Sequence, residues 1–124
     1  MVVLLDTNAL LWFFKGDARI TDKVRREISR SQRILVSDVT LFEISIKVCI
    51  QKLVPMPTLQ QRIAQLDATI IHIEPEHLAL FEKLPLLHRD PFDRMLIAQA
   101  IAEDATLITG DKLLATYDVE TIIV

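Results

Sequence analysis

The sequence predicts a single α/β domain built on a parallel five-stranded sheet with helices on both faces. Short apolar runs rich in β-branched residues alternate with longer segments of helical period, which is the pattern of a parallel sheet covered by helices. The chain has 124 residues, of which 51% are hydrophobic, so it can form a full core without disulfides. No repeat, low-complexity tract or linker divides it, and we therefore expect residues 1–124 to form one domain.

The strands are predicted from five apolar runs of the length and composition typical of a parallel sheet. Such strands are covered on both faces, so we expect all five to be buried. They are Val2 to Leu5, Ile34 to Ser37, Thr69 to Ile73, Thr106 to Thr109, and Thr121 to Val124.

The first three helices are predicted from apolar spacing and from signals at their ends. The first covers Thr7 to Lys15 and stops at Gly16, a residue suited to the left-handed conformation after a helix. The second begins near Thr21, and apolar residues on one face recur every four positions. The third follows the second strand and places Glu43 four residues before Lys47, a favourable spacing for an ion pair.

The remaining helices are predicted from capping residues. Thr58 is expected to cap a fourth helix, and Pro75 stands in the first turn of a fifth. Asp90 fits the N-cap of a sixth helix that runs to about Glu103. A short seventh helix is expected from Asp111 to Tyr117.

Composition excludes several classes of protein. A single cysteine, Cys49, excludes an intramolecular disulfide and is typical of a reducing cytoplasm. The longest wholly apolar run, Ala9 to Phe14, is far shorter than the roughly 20 residues that span a bilayer. The first residues carry no basic leader, so we expect the mature chain to begin at Met1. Two glycines are too few for a Walker loop or a dinucleotide-binding loop.

Four acidic residues are predicted to meet at one edge of the sheet, although they are scattered along the chain. Ligands of open parallel sheets bind beyond the carboxyl ends of the strands. Each acid lies at such a strand end or at a helix start on that edge: Asp6, Glu43, Asp93 and Asp111.

Each of these acids alone also has a purely structural explanation. Asp6 and Asp111 could be helix caps or turn residues, and Glu43 could simply pair with Lys47. We assign helix capping to Asp90 and the site to Asp93. Because each acid alone can be explained structurally, the argument for a functional site rests on the meeting of all four at one edge.

Clustered carboxylates need protons or cations to be stable. Two unit charges about 4 Å apart repel by about 4 kcal/mol at an effective dielectric near 20. No combination of histidine and cysteine offers a softer metal site. His72, His77 and His88 are expected to be ordinary surface or strand-end residues, with His88 the only one near the proposed site. Oxygen ligands select Mg²⁺ or Mn²⁺, ions that promote hydrolysis of a nucleic acid backbone.

Four segments carry a family resemblance: LLDTN at 4–8, SDVTLFEI at 37–44, HRDPFDRMLIAQA at 88–100 and LITGD at 107–111. Together they resemble PIN-domain proteins, specifically the VapC-like toxins of prokaryotic toxin–antitoxin pairs. The resemblance implies a Mg²⁺- or Mn²⁺-dependent endoribonuclease with an acidic site of Asp6, Glu43, Asp93 and Asp111. It also implies polar support from Asn8 and Thr109, homodimerisation, and inhibition by a small antitoxin. Thr40 and Phe42 depart from the pattern, since Ser and Trp are common there.

Two further surfaces are candidate contacts for partners. Basic residues are candidate contacts for RNA phosphates, with a solvated helix face as the alternative for those between 19 and 33: Arg19, Lys23, Arg26, Arg30, Arg89 and Arg94. The first helix is apolar around its circumference, so part of it is expected to face an antitoxin or a second copy of the chain. The residues concerned are Leu11, Trp12, Phe13 and Phe14.

Three other functions remain as alternatives. A receiver-like domain would need an acidic pair after the first strand, where Asp6 stands alone. A phosphatase of the haloacid-dehalogenase type would want Asp at the position of Asn8. A catalytically silent PIN-like interaction module is the third alternative, and the presence of all four acids argues against it.

Overall fold

Five parallel strands form one sheet in the computed structural model, which describes residues 1–124. The strands are β1 (Val2–Leu5), β2 (Arg33–Ser37), β3 (Thr69–Ile71), β4 (Thr106–Thr109) and β5 (Thr121–Ile123). Their order across the sheet is β3-β2-β1-β4-β5, and β1 pairs with both β2 and β4. Since all strands are parallel, every carboxyl end lies at the same edge.

Helices cover both faces of the sheet, as predicted. They are α1 (Thr7–Lys15), α2 (Asp22–Arg30), α3 (Asp38–Cys49), α4 (Leu59–Gln65), α5 (Pro75–Lys83) and α6 (Pro91–Ala102), followed by a 3₁₀ turn over Lys112–Thr116. Alternate residues of β1 face opposite sides: Val3 and Leu5 join one apolar cluster, and Leu4 joins the other. The first cluster includes α1, α2 and α4, whereas the second includes much of α6.

Most helix ends follow the predicted signals. Gly16 adopts the left-handed conformation with φ of 67° after α1, and the Thr21 hydroxyl accepts a hydrogen bond from the Val24 N–H. Two predictions are wrong in detail. Thr58 precedes α4 but its side chain makes no capping hydrogen bond, and the expected seventh helix is only a 3₁₀ turn that starts after Asp111. None of the helices is long and apolar enough to cross a lipid bilayer.

The expectation that all five strands are buried is wrong for the two edge strands. In β3 only Ile71 is buried, and in β5 no residue is, with Ile123 37% exposed. The reason is topological, because only β1, β2 and β4 have a neighbouring strand on both sides. β3 also stops two residues early, and the chain then turns into α5, where the Glu74 N–H donates to Nδ1 of His77. His77 is fully buried rather than a surface histidine.

The predicted partner surface on α1 is largely covered. Leu11 is 5% exposed and belongs to the core, so its assignment to a partner surface is wrong. Trp12 is half-buried, with the Arg19 guanidinium 4.7 Å from its ring centroid. Its ring also packs on Gly110, where an added Cβ would lie 2.6 Å from the ring.

The last two aromatic residues of α1 are each covered by an arginine. Arg25 lies 4.8 Å from the centroid of the Phe13 ring and donates to the Phe13 carbonyl. Arg62 likewise lies 4.8 Å from the centroid of the Phe14 ring and donates to the Phe14 carbonyl, which the helix end leaves open. The Phe13 carbonyl also accepts the Gly16 N–H, so Arg25 is its second donor. The apolar circumference of α1 is therefore explained mainly by contacts within the chain.

Arg94 is a buried residue of α6, and its prediction as an RNA contact is wrong. It is 6% exposed, and its guanidinium donates to the carbonyls of Pro85 at 2.9 Å, Phe81 at 3.2 Å and Leu84 at 3.4 Å. The same group lies over the Phe81 ring and 3.4 Å from the Tyr117 hydroxyl. A guanidinium is well suited to this position because it carries five donors and accepts nothing. Arg94 therefore joins the end of α5 to α6.

Candidate functional site

Asp6 stands at the centre of the carboxyl edge, directly after β1. Its backbone N–H donates to the Ile108 carbonyl of β4 at 3.0 Å, and its carboxylate caps α1 by accepting from the Ala9 N–H at 2.8 Å. Burial raises the pKa of Asp6, and the charges of Glu43 and Asp111 raise it further, whereas hydrogen bonds from Thr109 and Ala9 lower it. Asp6 is thus both a helix cap and a member of the cluster whose pKa is affected by acids from two other segments.

Glu43 reaches the same edge from α3. The Thr7 hydroxyl donates to one of its carboxylate oxygens, and the Lys47 ammonium lies 3.7 Å from the other. The ion pair predicted from the spacing is therefore present. Sequence reasoning missed Thr7, which is buried one residue after Asp6, and the position beside the first acid was the signal that could have found it.

Asp93 lies in the first turn of α6. Asp90 caps this helix as predicted, because its carboxylate accepts from the N–H groups of Phe92 at 2.8 Å and Asp93 at 3.4 Å. The pKa of Asp93 is raised to about 7, chiefly by burial and then by the charges of Asp90 and Asp6, while His88 acts in the opposite direction. The charge of Glu43 contributes to the same rise.

Asp111 follows β4 and is held by two local contacts. The Thr109 hydroxyl accepts a hydrogen bond from the Asp111 N–H at 3.0 Å and also bonds the Asp6 carboxylate. The Asp111 carboxylate accepts from the Leu113 N–H at 2.9 Å, so it also starts the 3₁₀ turn. Asn8, the other expected polar support, is exposed in the first turn of α1.

His88 lies within the acidic cluster; its position near the site was expected, but its contacts with two of the acids were not. Its Nε2 atom is 3.0 Å from Asp111 Oδ2 and 3.2 Å from Asp93 Oδ2. One ligand atom from each of these three residues lies within 4.8 Å of the other two. The available signal was its position two residues before the capping residue Asp90, in the same segment as Asp93.

The donor set suits a hard divalent cation. The structure brings all four predicted acids together, since the charges of Glu43 and Asp111 act on Asp6 and the charge of Asp6 acts on Asp93. The pKa values of Asp6 and Asp93 are raised chiefly by burial, with neighbouring acids adding to the rise, and a bound cation would favour the ionised forms of both. Carboxylate oxygens are the ligands that Mg²⁺ and Mn²⁺ prefer.

A second cluster of metal-ligand type lies away from this edge and fits a metal poorly. It joins Glu76, His77 and Glu103, with His77 Nε2 buried, without a hydrogen bond and 3.6 Å from Glu103 Oε1. Because His77 Nδ1 accepts the Glu74 N–H at 3.0 Å, the proton of the neutral ring resides on Nε2. A protonated nitrogen has no lone pair for a metal, so this cluster is a helix–helix contact.

The candidate RNA contacts are spread over different regions of the surface. Arg89 is exposed next to His88, close to the acids. Arg19 is engaged with Asp17 at 2.9 Å and with the Trp12 ring. Three other basic residues are exposed on α2: Lys23, Arg26 and Arg30. Arg30 ends this helix just before β2 begins, at the edge of the sheet opposite the acids.

An apolar groove of about 590 Å³ lies beside the acids, between α3, α5 and α6. Phe42 and Phe92 line it, with ring centroids 6.0 Å apart, and each immediately precedes an acid of the cluster in sequence. Phe42 is 62% exposed. This groove is an uncovered apolar surface, whereas the aromatic residues of α1 are largely covered.

Comparison with known proteins identifies a family over almost the whole chain. Residues 3–120 match the family described as PIN domain. No curated protein sequence is significantly similar to the chain.

Three solved structures illustrate the structural likeness. VapBC2 from Rickettsia felis, bound to a DNA fragment from its promoter, superposes with a TM-score of 0.76 at 18% identity, covering 99% of this chain and 98% of that one. DNA-bound VapBC from Salmonella typhimurium gives 0.72 at 15% identity, covering 99% and 98%. A toxin-antitoxin complex from Klebsiella pneumoniae gives 0.59 at 20% identity, covering 88% and 86%. At such identities the likeness is one of fold.

Proposed function

Because the chain belongs to the PIN domain family, we propose that it is a Mg²⁺- or Mn²⁺-dependent endoribonuclease and the toxin of a toxin–antitoxin pair. Proteins of this family are nucleases that generally use divalent metals. The observation that carries the proposal is the meeting of four carboxylates from separate segments at one sheet edge: Asp6, Glu43, Asp93 and Asp111.

In this proposal the four carboxylates bind the cation, and neighbouring hydroxyl groups orient two of these carboxylates by hydrogen bonds. A divalent cation supplies a Lewis acid that lowers the pKa of water and neutralises charge on a phosphodiester. Thr109 orients Asp6, and Thr7 orients Glu43. Arg89, exposed beside the cluster, is the candidate contact for an RNA phosphate.

The test is cleavage of a structured RNA by the purified chain, with single-stranded DNA and a small phosphoester as competing substrates. EDTA should stop cleavage, Mg²⁺ or Mn²⁺ should restore it, and Ca²⁺ should restore it poorly because of its looser geometry. Products should carry 5′ phosphate and 3′ hydroxyl ends. Full activity in EDTA, or 2′,3′-cyclic phosphate ends, would contradict the mechanism. Preference for DNA would contradict the substrate.

The proposed partner is a small antitoxin, which we place in the groove lined by Phe42 and Phe92. Support comes from the adjacency of this apolar groove to a cluster of carboxylates, which would attract an arginine or lysine of the partner. The surface predicted on α1 does not offer such a combination, because Leu11 is buried there. Some proteins of similar fold are two-component complexes, and one is a toxin-antitoxin complex.

Substitution in the groove tests the placement of the antitoxin. Phe42→Ala should weaken binding of the proposed antitoxin, because it removes an exposed ring from the groove. Leu86→Ala is the matched control, since Leu86 is 82% exposed and does not line the groove. Equal binding by both variants would place the antitoxin elsewhere.

We also propose a cytoplasmic location, because that compartment contains RNA and keeps a free exposed thiol such as Cys49 reduced. We further propose that the chain forms a homodimer. Light scattering of the purified chain measures the oligomeric state directly. A monomer at micromolar concentration would exclude a stable homodimer. A catalytically silent module remains the alternative, and the cleavage assay decides between the two.

A further inference from the structure

His88 is held in place by contacts of its backbone and of both ring nitrogens. Its backbone N–H donates to the Tyr117 hydroxyl at 2.8 Å, and that buried hydroxyl donates onward to the Pro85 carbonyl at 2.9 Å. Its Nδ1 atom accepts the Asp90 N–H at 3.0 Å. Its side chain is only 16% exposed. The imidazole therefore has little freedom to turn away from the carboxylates.

These contacts determine which ring nitrogen carries the proton. A backbone N–H can only donate, so the Nδ1 atom that faces Asp90 must offer its lone pair. In the neutral ring the proton then resides on Nε2, the atom that lies between Asp93 and Asp111. A metal ligand needs a lone pair at that nitrogen, so His88 in this position is a donor and not a ligand.

We infer that His88 is a positioning residue whose Nε2–H bridges Asp93 and Asp111 and holds the two carboxylates together for a cation. Without a shared donor, two like charges on different elements would move apart, and the cation would have to draw them together on binding. A carboxylate offers about four lone-pair sites, so accepting one N–H leaves the others for a cation.

The inference rests on the proposed function only in taking the acidic cluster as the cation site. Isothermal titration with Mn²⁺ measures it without any assay of RNA cleavage. His88→Phe keeps the ring volume but removes the donor, and it should weaken Mn²⁺ binding about 10- to 100-fold, the usual effect of losing an outer-shell partner of a metal ligand.

Two amide variants separate donation from packing. A glutamine amide reaches about as far as Nε2, so His88→Gln should restore most of the Mn²⁺ affinity. An asparagine amide reaches only as far as Nδ1, so His88→Asn should bind as weakly as His88→Phe. Thermal melts identify any variant that fails to fold. If the variants do not fold, ¹⁵N NMR of the wild-type ring decides, with the proton expected on Nε2 both with and without Mg²⁺.

Several results would overturn the inference. Mn²⁺ binding that is unchanged or tighter in His88→Phe would show that the imidazole is irrelevant to the cation or competes with it. Loss of the Nε2 proton on addition of Mg²⁺ would make His88 a ligand. A wild-type chain that binds no divalent cation would refute this inference and the proposed function together. A chain that binds Mn²⁺ with the expected variant pattern but cleaves no RNA would refute only the proposed function.

Discussion

Asp93→Asn should abolish RNA cleavage and at the same time stabilise the metal-free protein at neutral pH. Asp93 is held with its pKa raised from 3.8 to about 7, chiefly by burial. The asparagine keeps an oxygen that can accept the His88 Nε2–H, but it carries no charge. The substitution therefore removes the electrostatic cost and leaves the local hydrogen bond possible.

The expected gain in unfolding free energy follows from the difference between the folded and unfolded pKa values of Asp93. At 1.36 kcal/mol per unit, the shift from 3.8 to about 7 corresponds to roughly 4 kcal/mol as an upper bound. The carboxylate is 21% exposed, and solvent screening reduces the expected gain to about 1–2 kcal/mol. For a chain of this size, that gain corresponds to a rise in Tm of roughly 3 to 8 °C.

The direction of the Asp93 pKa shift determines how the stability gained by Asp93→Asn depends on pH. A raised folded-state pKa means that ionisation of Asp93 destabilises the fold, and this cost grows as the pH rises from 3.8 to about 7 and is constant above. The advantage of Asp93→Asn should therefore vanish near pH 4 and be complete near pH 8. Mg²⁺ should narrow it, because only the wild type gains stability by binding the ion.

Thermal unfolding at these two pH values, with and without Mg²⁺, is the assay, and Asp118→Asn is the matched control because Asp118 is exposed. A wild-type chain that is more stable than Asp93→Asn near pH 8 without metal would refute the electrostatic reasoning. Cleavage by Asp93→Asn would refute the assignment of Asp93 to the site.

Three further substitutions test other contacts of the fold. Arg94→Ala should cost about 3 kcal/mol in unfolding free energy, because it removes a buried charged donor shared by three carbonyls and leaves the Leu84 carbonyl without any other donor. The exposed Arg89→Ala should change the midpoint of a urea titration little. Gly110→Ala should lower the free energy of unfolding by about 1–3 kcal/mol, because its Cβ would lie 2.6 Å from the Trp12 ring. In a double-mutant cycle, adding Trp12→Leu should remove part of that loss. Additive losses would contradict the contact. Asp90→Ala should cost about 1 kcal/mol through loss of the α6 cap, and Asp90→Ser should recover most of it; equal melting of wild type and Asp90→Ala would contradict the capping role.

The fold and the convergence of the acids could be predicted from the sequence because both depend on patterns of local origin. Apolar runs and capping residues locate the strands and helices, and parallel strands bring their carboxyl ends to one edge. The burial of β5 was wrongly predicted because the apolar run Thr121 to Val124 does not reveal that it lies at the edge of the sheet.

Side-chain partners across the fold were much harder to predict. Arg94 looks like a basic residue beside an acid, and only the packing of α6 on α5 shows that carbonyls surround it. His88 has no metal-ligand spacing, and its tautomer depends on the direction of the Asp90 N–H. The aromatic end of α1 suggested an open surface because no local pattern predicts that Arg62 will cover it from α4.

The strand order also has a consequence for folding during synthesis. The central strand β1 pairs Val3 with Thr106 of β4, so one of its two ladders forms only after the chain has been made as far as β4. Contacts between residues so far apart in sequence form slowly. A nascent chain that has emerged only as far as α5 holds Asp6 and Glu43 but lacks Asp93, Asp111 and the histidine between them. Translation itself thus delays assembly of the acidic cluster until the residues that follow α5 have been made.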